Sequence, residues 1–164
     1  MITFRFYTEQ DAQAVGILIA DTFGTYNLDY ATPEERELLL GPFRHARSDD
    51  PAHRAAIVEI LTADMIFVAE DAGKIVGVLR GRTDRLQSLF VDAAYHRQGI
   101  GRQLVAHFED ECKRKGETEI QCAATLYAIP FYLRMGYEKI GDVETGPCFD
   151  GEYFMWQPMR KVLG

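Results

Sequence analysis

Leu86-Gln-Ser-Leu-Phe-Val91, a strand-like run, is followed three residues later by Tyr95-His-Arg-Gln-Gly-Ile-Gly-Arg102, which opens a helix-like run from Gly101 to Lys115. Strand, glycine-bearing turn and helix in unbroken succession decide how the chain is read. A helix start leaves several backbone N–H groups unpaired and carries the positive end of the helix dipole, so it suits a phosphate. Gly99 and Gly101 let the backbone approach a ligand with no Cβ in the way. Arg97 and Arg102 add charge at the rim. The helix behind the turn places Leu104, Val105, Phe108 and Cys112 on one face, so that face packs inward. The stretch therefore points to a phosphorylated cofactor.

Working outward, strands and helices alternate. Ile2–Tyr7 reads as a first strand, and Thr8-Glu-Gln-Asp11 as a capping-box start for a helix running to about Phe23. Thr32-Pro-Glu-Glu35 combines a cap, a proline at the first helical position and an acid at the third. Asp50-Pro51 begins another helix carrying Ala55, Ile57, Val58 and Leu61. Met65–Ala69 and Lys74–Arg82 read as a hairpin turning at Glu70-Asp-Ala-Gly73.

Beyond the glycine turn and its helix, Glu119–Ala123 is a short buried strand. A short helix follows around Ile129–Met135, with Pro130 confined to its first turn because it has no N–H to donate. Gly136 stops that helix and lets Tyr137 pack back onto Tyr132. Gly151–Arg160 reads as the last strand, with Pro158 near its end. No repeat, linker or low-complexity segment interrupts the chain. A single α/β domain is expected, with strands and helices mixed around one sheet.

At 164 residues the chain is long enough for one sizeable core, and 47% hydrophobic with 26% charged residues is ordinary for a globular protein. A formal net charge of −7 argues against nucleic acid, whose backbone demands a basic surface. Cys112, Cys122 and Cys148 have no CxxC spacing and leave one unpaired, so they read as free thiols in a reducing compartment. The four histidines show no metal-ligand spacing, and no metal is expected. The first residues lack the apolar core of a signal peptide, and Ala14–Ala20 is too short to span a bilayer. A cytoplasmic protein without membrane contact is the expectation.

Two blocks together give a specific resemblance. Leu89-Phe-Val-Asp92 with Tyr95-His-Arg-Gln-Gly-Ile-Gly-Arg102 resembles the acetyl-coenzyme A motif of GCN5-related N-acetyltransferases, whose pattern is Gln/Arg-x-x-Gly-x-Gly/Ala. His96 stands at the first motif position, with Arg97 beside it. The second block, Thr125-Leu-Tyr-Ala-Ile-Pro-Phe-Tyr-Leu-Arg-Met-Gly-Tyr137, resembles the family's later segment, in which an alanine, a Phe-Tyr pair and a Gly-aromatic pair recur. Residues 65–164 carry the likeness as a cofactor-binding half. Residues 1–64 match only in kind, as the half that varies with the acceptor.

The resemblance implies a mixed, mostly antiparallel sheet splayed at its centre, with helices on both faces. The strand Leu86–Val91 would part from Glu119–Ala123, and buried backbone groups left in the gap must find partners. The pantetheine arm would supply them as a substitute strand against Leu89, Phe90 and Val91. The pyrophosphate would then fall on Arg97, Gln98, Gly99, Ile100, Gly101 and Arg102. Thr125 stands where relatives often carry a cofactor-contacting asparagine, although a cap or turn role fits equally. Tyr132 matches the family tyrosine that protonates the leaving thiolate. A backbone N–H near Leu89 or Phe90 would stabilise the oxyanion.

The implied reaction is transfer of acetyl from acetyl-coenzyme A to a primary amine by direct attack in a ternary complex. The acceptor is a small amine, an amino-acid derivative or a peptide amine, with the acidic charge tilting slightly toward a cationic small molecule. The strand offers Gln87 and Ser88 but no carboxylate as base. Glu70, Asp84, Asp150 and Glu152 stand outside it, and a water chain is as good a candidate. Cys122 reads better as a buried small hydrophobe than as an acyl carrier, and Cys148 as a loop residue.

Tyr26, Tyr30 and Phe43 either line an acceptor pocket or complete the core. Glu34, Glu35 and Glu37 read as a solvated helix face. Met155 and Trp156 pack on the sheet or against a second subunit, which leaves a homodimer open. The competing reading is a non-catalytic acyl-coenzyme A sensor, which needs neither Tyr132 nor an acceptor cleft. A nucleotide-binding module fits poorly, since Arg102-Gln103 follow Gly101 where a P-loop lysine would stand.

Overall fold

A computed structural model describes residues 1–62 and 65–164. Its strands are β1 (Ile2–Phe6), β2 (Met65–Asp71), β3 (Lys74–Arg82), β4 (Arg85–Val91), β5 (Glu119–Thr125), β6 (Glu138–Lys139), β7 (Glu144–Cys148) and β8 (Gly151–Val162). The helices are α1 (Ala12–Thr22), α2 (Pro33–Leu40), α3 (Pro51–Ile60), α4 (Ile100–Arg114) and α5 (Ile129–Arg134). The strands form one sheet in the order β1-β2-β3-β4-β5-β8-β6, with β7 also on β8. Every pairing is antiparallel except β4 with β5.

Helices cover both faces, as the resemblance implied. On one face α4 lays Leu104, Val105, Phe108 and Cys112, all fully buried, against Leu79, Leu86, Ile120 and Met159. On the other, Val15 and Ile19 of α1, Leu39 of α2 and Ile57 of α3 pack on Ile66, Val68 and Val78. Burying such side chains contributes about 1.5–3 kcal/mol each, so the two clusters hold the sheet between them. No helix among the described residues is long and apolar enough to cross a membrane.

Local signals in the sequence act as expected at most helix starts. Thr8 and Asp11 form the capping box, although its first turn is a 3-10 turn (Glu9–Asp11) before α1 begins. Thr32 Oγ1 accepts from Glu35 N–H at 3.2 Å, with Pro33 at the first helical position. Gly136 ends α5 at φ 91°, and Tyr137 meets the Tyr132 ring edge-on at 5.5 Å.

Several expectations need correction. The helix read as stopping near Phe23 continues as a π-helical turn over Phe23–Asn27. The last strand does not end at Arg160 but runs to Val162, so Pro158 lies well inside it. Its carbonyl accepts from Ile140 N–H at 3.0 Å. β6 and β7 have no counterpart in the sequence reading. β7 carries Gly146 and Pro147, which depress strand propensity, and it is tolerated because it lies at an edge with a register shift at Pro147. Cys148 is therefore a strand residue rather than a loop residue.

Glu35 is not merely solvated. Its Oε1 accepts from the N–H groups of Glu152 (2.9 Å) and Tyr153 (3.2 Å), tying α2 to the start of β8. Trp156 takes the first of its two readings within the chain, packing on Phe154 at 5.8 Å and over Gly146.

One buried polar cluster braces the far end of β8. Glu109 of α4, 7% exposed, accepts from Lys161 Nζ at 2.8 Å and from Tyr137 Oη at 3.1 Å. Removing its carboxylate would leave an ammonium and a phenol without their shared acceptor. We predict that Glu109→Ala lowers stability by about 3 kcal/mol, read from urea unfolding with an unchanged m-value, whereas Glu34→Ala on the open face of α2 changes it by less than about 0.5 kcal/mol.

Candidate active site

β4 and β5 pair only at Arg85↔Gln121 and Leu86↔Cys122, and then part. Asp92 N–H donates to Val76 C=O at 2.8 Å. Antiparallel alternation then turns the backbone groups of Phe90 and Ser88 toward β3 and those of Leu89 and Val91 into the gap. Of the three strand residues expected to meet a pantetheine arm, two thus present backbone there. Phe90 instead sends its ring to the α1 face, 5.5 Å from Phe23.

The turn at 95–102 is held at three points. His96 Nε2 donates to Val91 C=O at 2.8 Å, which assigns the proton to that nitrogen because a carbonyl only accepts. Tyr95 Oη donates to Asp71 at 2.8 Å, and Asp92 caps Ala94 N–H at 2.9 Å. His96, whose role the sequence left unassigned, therefore braces the loop on the strand. Arg97 and Gly99 both adopt left-handed backbone, at φ 63° and 80°. The first intrahelical bond of α4 is Gln103 N–H to Gly99 C=O at 3.0 Å. Consequently Ile100, Gly101 and Arg102 keep N–H groups that no helical carbonyl accepts.

Gly99 and Gly101 serve different ends. Nothing lies within 4 Å of a Cβ placed on Gly99, so its requirement is the left-handed φ. Gly101 has ordinary helical φ, and a Cβ there would stand 3.4 Å from Phe131 and 3.8 Å from Leu89. Those two residues line a cavity of about 820 Å³ that runs from the turn to the gap. Arg97, Arg102 and Arg134 line it too, and no carboxylate among the described residues does. In a chain of net charge −7, that is a local reversal suited to a polyanion. Gln98 is exposed and lies outside the wall.

A second cavity, about 300 Å³, opens on the α1 side of the sheet. Asn27, Leu89, Phe90, Ala128 and Tyr132 belong to both walls, so the cavities meet there. Asn27 comes from the π-helical turn and donates to Thr125 Oγ1 at 2.6 Å, which places Thr125 on the smaller cavity. Nothing in the sequence's periodicity marks Asn27; the wider turn brings it inward. Of the aromatic trio, Phe43 lines the smaller cavity, Tyr26 the larger, and Tyr30 Oη accepts from Met155 N–H at 3.0 Å.

Among the described residues, no carboxylate lines the smaller cavity. Glu70 is paired with Arg5 at 3.4 Å and Asp150 with Arg44 at 3.7 Å, and neither reaches it. Asp84 and Glu152 are absent from its wall as well. Its polar groups are Asn27, Arg80, Gln87, Ser88 and Thr125. Burial lowers the Arg80 guanidinium from its ordinary pKa.

Tyr132 is 4% exposed, and burial pushes its phenol well above the ordinary value, so it holds its proton at neutral pH. Cys122, 3% exposed, has its thiol pushed up to about 12 by burial. Cys148 is pushed up to about 11 for the same reason. None of the three cysteines is disulfide-bonded, and among the described residues no group of side chains has the makings of a metal site.

The fold and these walls define an acyl-transferring class, and comparison with known proteins agrees. The model of the acetyltransferase (GNAT) domain matches residues 34–163. An acetyltransferase of Agrobacterium fabrum is 31% identical over 105 residues, covering 58% of this chain and 72% of that one. A GCN5-related N-acetyltransferase structure from Rhodopseudomonas palustris superposes with TM-score 0.77 at 21% identity, covering 98% of this chain and 95% of that one. The PaiA N-acetyltransferase of Thermoplasma acidophilum, solved with coenzyme A, gives 0.73 at 16% identity, with 99% of each chain covered. The chain belongs to the GNAT acetyltransferase family.

The raised Cys122 thiol carries a prediction. At pH 8 the thiolate fraction is about 10⁻⁴ with a pKa near 12, so the native protein should resist iodoacetamide at Cys122, read by mass spectrometry, until it is unfolded. Rapid native labelling there would reopen an acyl-cysteine route.

Proposed function

We propose that the protein moves an acetyl group from acetyl-coenzyme A to a primary amine by direct attack in a ternary complex. The observation that carries this reading is the meeting of two cavities at the open backbone of Leu89 and the Tyr132 phenol. The pyrophosphate lies on the amides of the turn, Arg97 to Arg102, where Gln98 and Ile100 contribute backbone alone and Arg97, Arg102 and Arg134 contribute charge. The pantetheine arm pairs with Leu89 and Val91 as a missing strand. Thr125, held by Asn27, borders the acyl end. The acceptor enters from the other cavity, built partly from residues 1–64 through Ile19, Phe23, Asn27 and Phe43. A sensor would not need that second cavity.

The chemistry follows from the groups in place. An alkylamine arrives protonated, with a pKa of about 10.4 in water. With no carboxylate among the described residues of the wall, its proton leaves through water in the smaller cavity, ordered by Gln87, Ser88 and Asn27. The free amine forms a bond to the thioester carbon, and the Leu89 N–H steadies the oxyanion. The C–S bond then breaks, and the Tyr132 Oη–H passes its proton to the departing sulfur. The second proton of the attacking nitrogen passes through water to restore the phenol. Acetylated amine, coenzyme A thiol and one proton leave.

Acetyl-coenzyme A at 100 times its Kd should stabilise the fold by about 2.7 kcal/mol through linkage, seen as a raised melting temperature, while ATP should not. No shift at saturation would overturn the donor assignment. Tyr132→Phe should lower kcat for thiol release by about 10²-fold or more with little change in cofactor Kd. An unchanged rate would remove Tyr132 as the acid.

Gly101→Ala separates cofactor fit from folding. Alanine is the better helix former by about 1 kcal/mol, and its Cβ meets only ordinary contacts inside the protein. The unliganded protein should melt no lower, while calorimetric affinity for coenzyme A falls because the methyl enters the cavity. Equal affinity for both forms would show that no ligand approaches Gly101.

A further inference from the structure

The smaller cavity holds an unusual pair of groups. Arg80 of β3 and Ser88 of β4 face each other across the strand pair. Both line the cavity, and Arg80 Nε and Ser88 Oγ are buried with no hydrogen-bond partner among the described residues. Arg80 Nη2 donates to Ile60 C=O at 3.2 Å, at the C-terminal end of α3, which fixes the guanidinium without neutralising it. No ion pair involves Arg80 among the described residues. An unpaired guanidinium and hydroxyl in a desolvated wall are costly unless something else completes them. Ile19, Phe23, Phe43, Phe90 and Phe154 give the same wall a large apolar part.

We propose that the acceptor is a small α-amino acid-like molecule: its carboxylate sits on Arg80 and Ser88, its apolar side chain fills the phenylalanine-lined space, and its amine faces the thioester. The inference rests on the acetyl-transfer reading and narrows it. Ser88 directly precedes Leu89, whose N–H faces the acyl position. One residue of strand is about 3.3 Å, so the anion and the reacting amine lie close together in the acceptor. That spacing suits an amine and carboxylate on one carbon and disfavours a long diamine, whose second cation would meet Arg80. The charge of the wall therefore overrides the tilt toward cationic acceptors that the net charge suggested. The transfer is as above: the C–N bond forms, the C–S bond breaks, and the products are the N-acetylated acid, coenzyme A thiol and a proton released to water.

The test reads thiol release with leucine, methionine and phenylalanine against their carboxamides, their decarboxylated amines and spermidine, in the wild type and in Arg80→Met. The wild type should favour the acids by about 100-fold in kcat/KM over the amides, the scale of breaking a buried charge pair. Arg80→Met should level the two through loss on the acid, keep its melting shift with acetyl-coenzyme A, and melt no lower than wild type because an unpaired buried charge is gone. Should Arg80→Met fail to fold, calorimetry of leucine and leucinamide on wild type with bound coenzyme A decides, with heat expected only from the acid. Equal use of amides, preference for spermidine, or silence across the panel with the cofactor shift intact would overturn the acceptor assignment while leaving the donor. Loss of the cofactor shift in wild type would instead overturn the transfer reading itself.

Discussion

The separation of β4 from β5 after two paired residues is the constraint on which the other features depend. A strand in the middle of a sheet normally spends its backbone on both neighbours. Here β4 is satisfied on the β3 side and left open on the other at Leu89 and Val91. Such groups, away from water, cost free energy until something pairs with them. One of them, the Val91 carbonyl, is taken by His96, and this same bond fixes the glycine turn to the strand that precedes it. The gap and the phosphate turn are therefore one device, with the histidine as its hinge pin. A long ligand with amides in its middle and phosphates at one end matches both parts at once.

The two helical layers divide the work around this gap. α4 and α5 supply the turn, Phe131 and the phenol of Tyr132, and they rest on the cluster braced by Glu109, Tyr137 and Lys161. The N-terminal segment, through α1 and its π-helical extension, supplies Phe23 and Asn27 to the opposite side. Tyr132 reaches both because α5 is short and begins where β5 leaves the sheet. Its burial keeps the phenol protonated, with the rings of Phe131 and Tyr137 packed on it at 5.2 and 5.5 Å.

Much of this was written in local sequence. The strand–turn–helix at 86–115, the caps at Thr8, Thr32 and Asp50, and the stop at Gly136 each rest on chemistry confined to a few neighbouring residues, and each appears where expected. What escaped depends on distant partners. β7 and the extension of β8 are stabilised by each other, against the intrinsic preferences of Gly146, Pro147 and Pro158. Glu35 looks like any solvated acid until β8 presents its N–H groups to it, 117 residues away. Asn27 is placed by a helical turn that no spacing announces. Arg80 reads as an unremarkable strand residue, because its lack of a partner becomes visible only once the neighbouring elements are in place.

Charge gives the sharpest instance of that difference between whole-chain and local reading. The total of −7 invites a cationic partner, yet among the described residues neither cavity wall contains an acid. Several carboxylates pair with arginines elsewhere: Asp11 and Glu70 with Arg5, Asp21 with Arg47, Glu138 with Arg160. Four arginines without such a partner among the described residues line the walls, Arg97, Arg102 and Arg134 at one cavity and Arg80 at the other. Screening confines the exposed acids to effects over about 10 Å at ordinary salt, whereas a guanidinium in a desolvated wall acts at full strength on whatever touches it. On the acceptor proposed above, both substrates meet a cation, and the acceptor carries its amine alongside a negative group of its own.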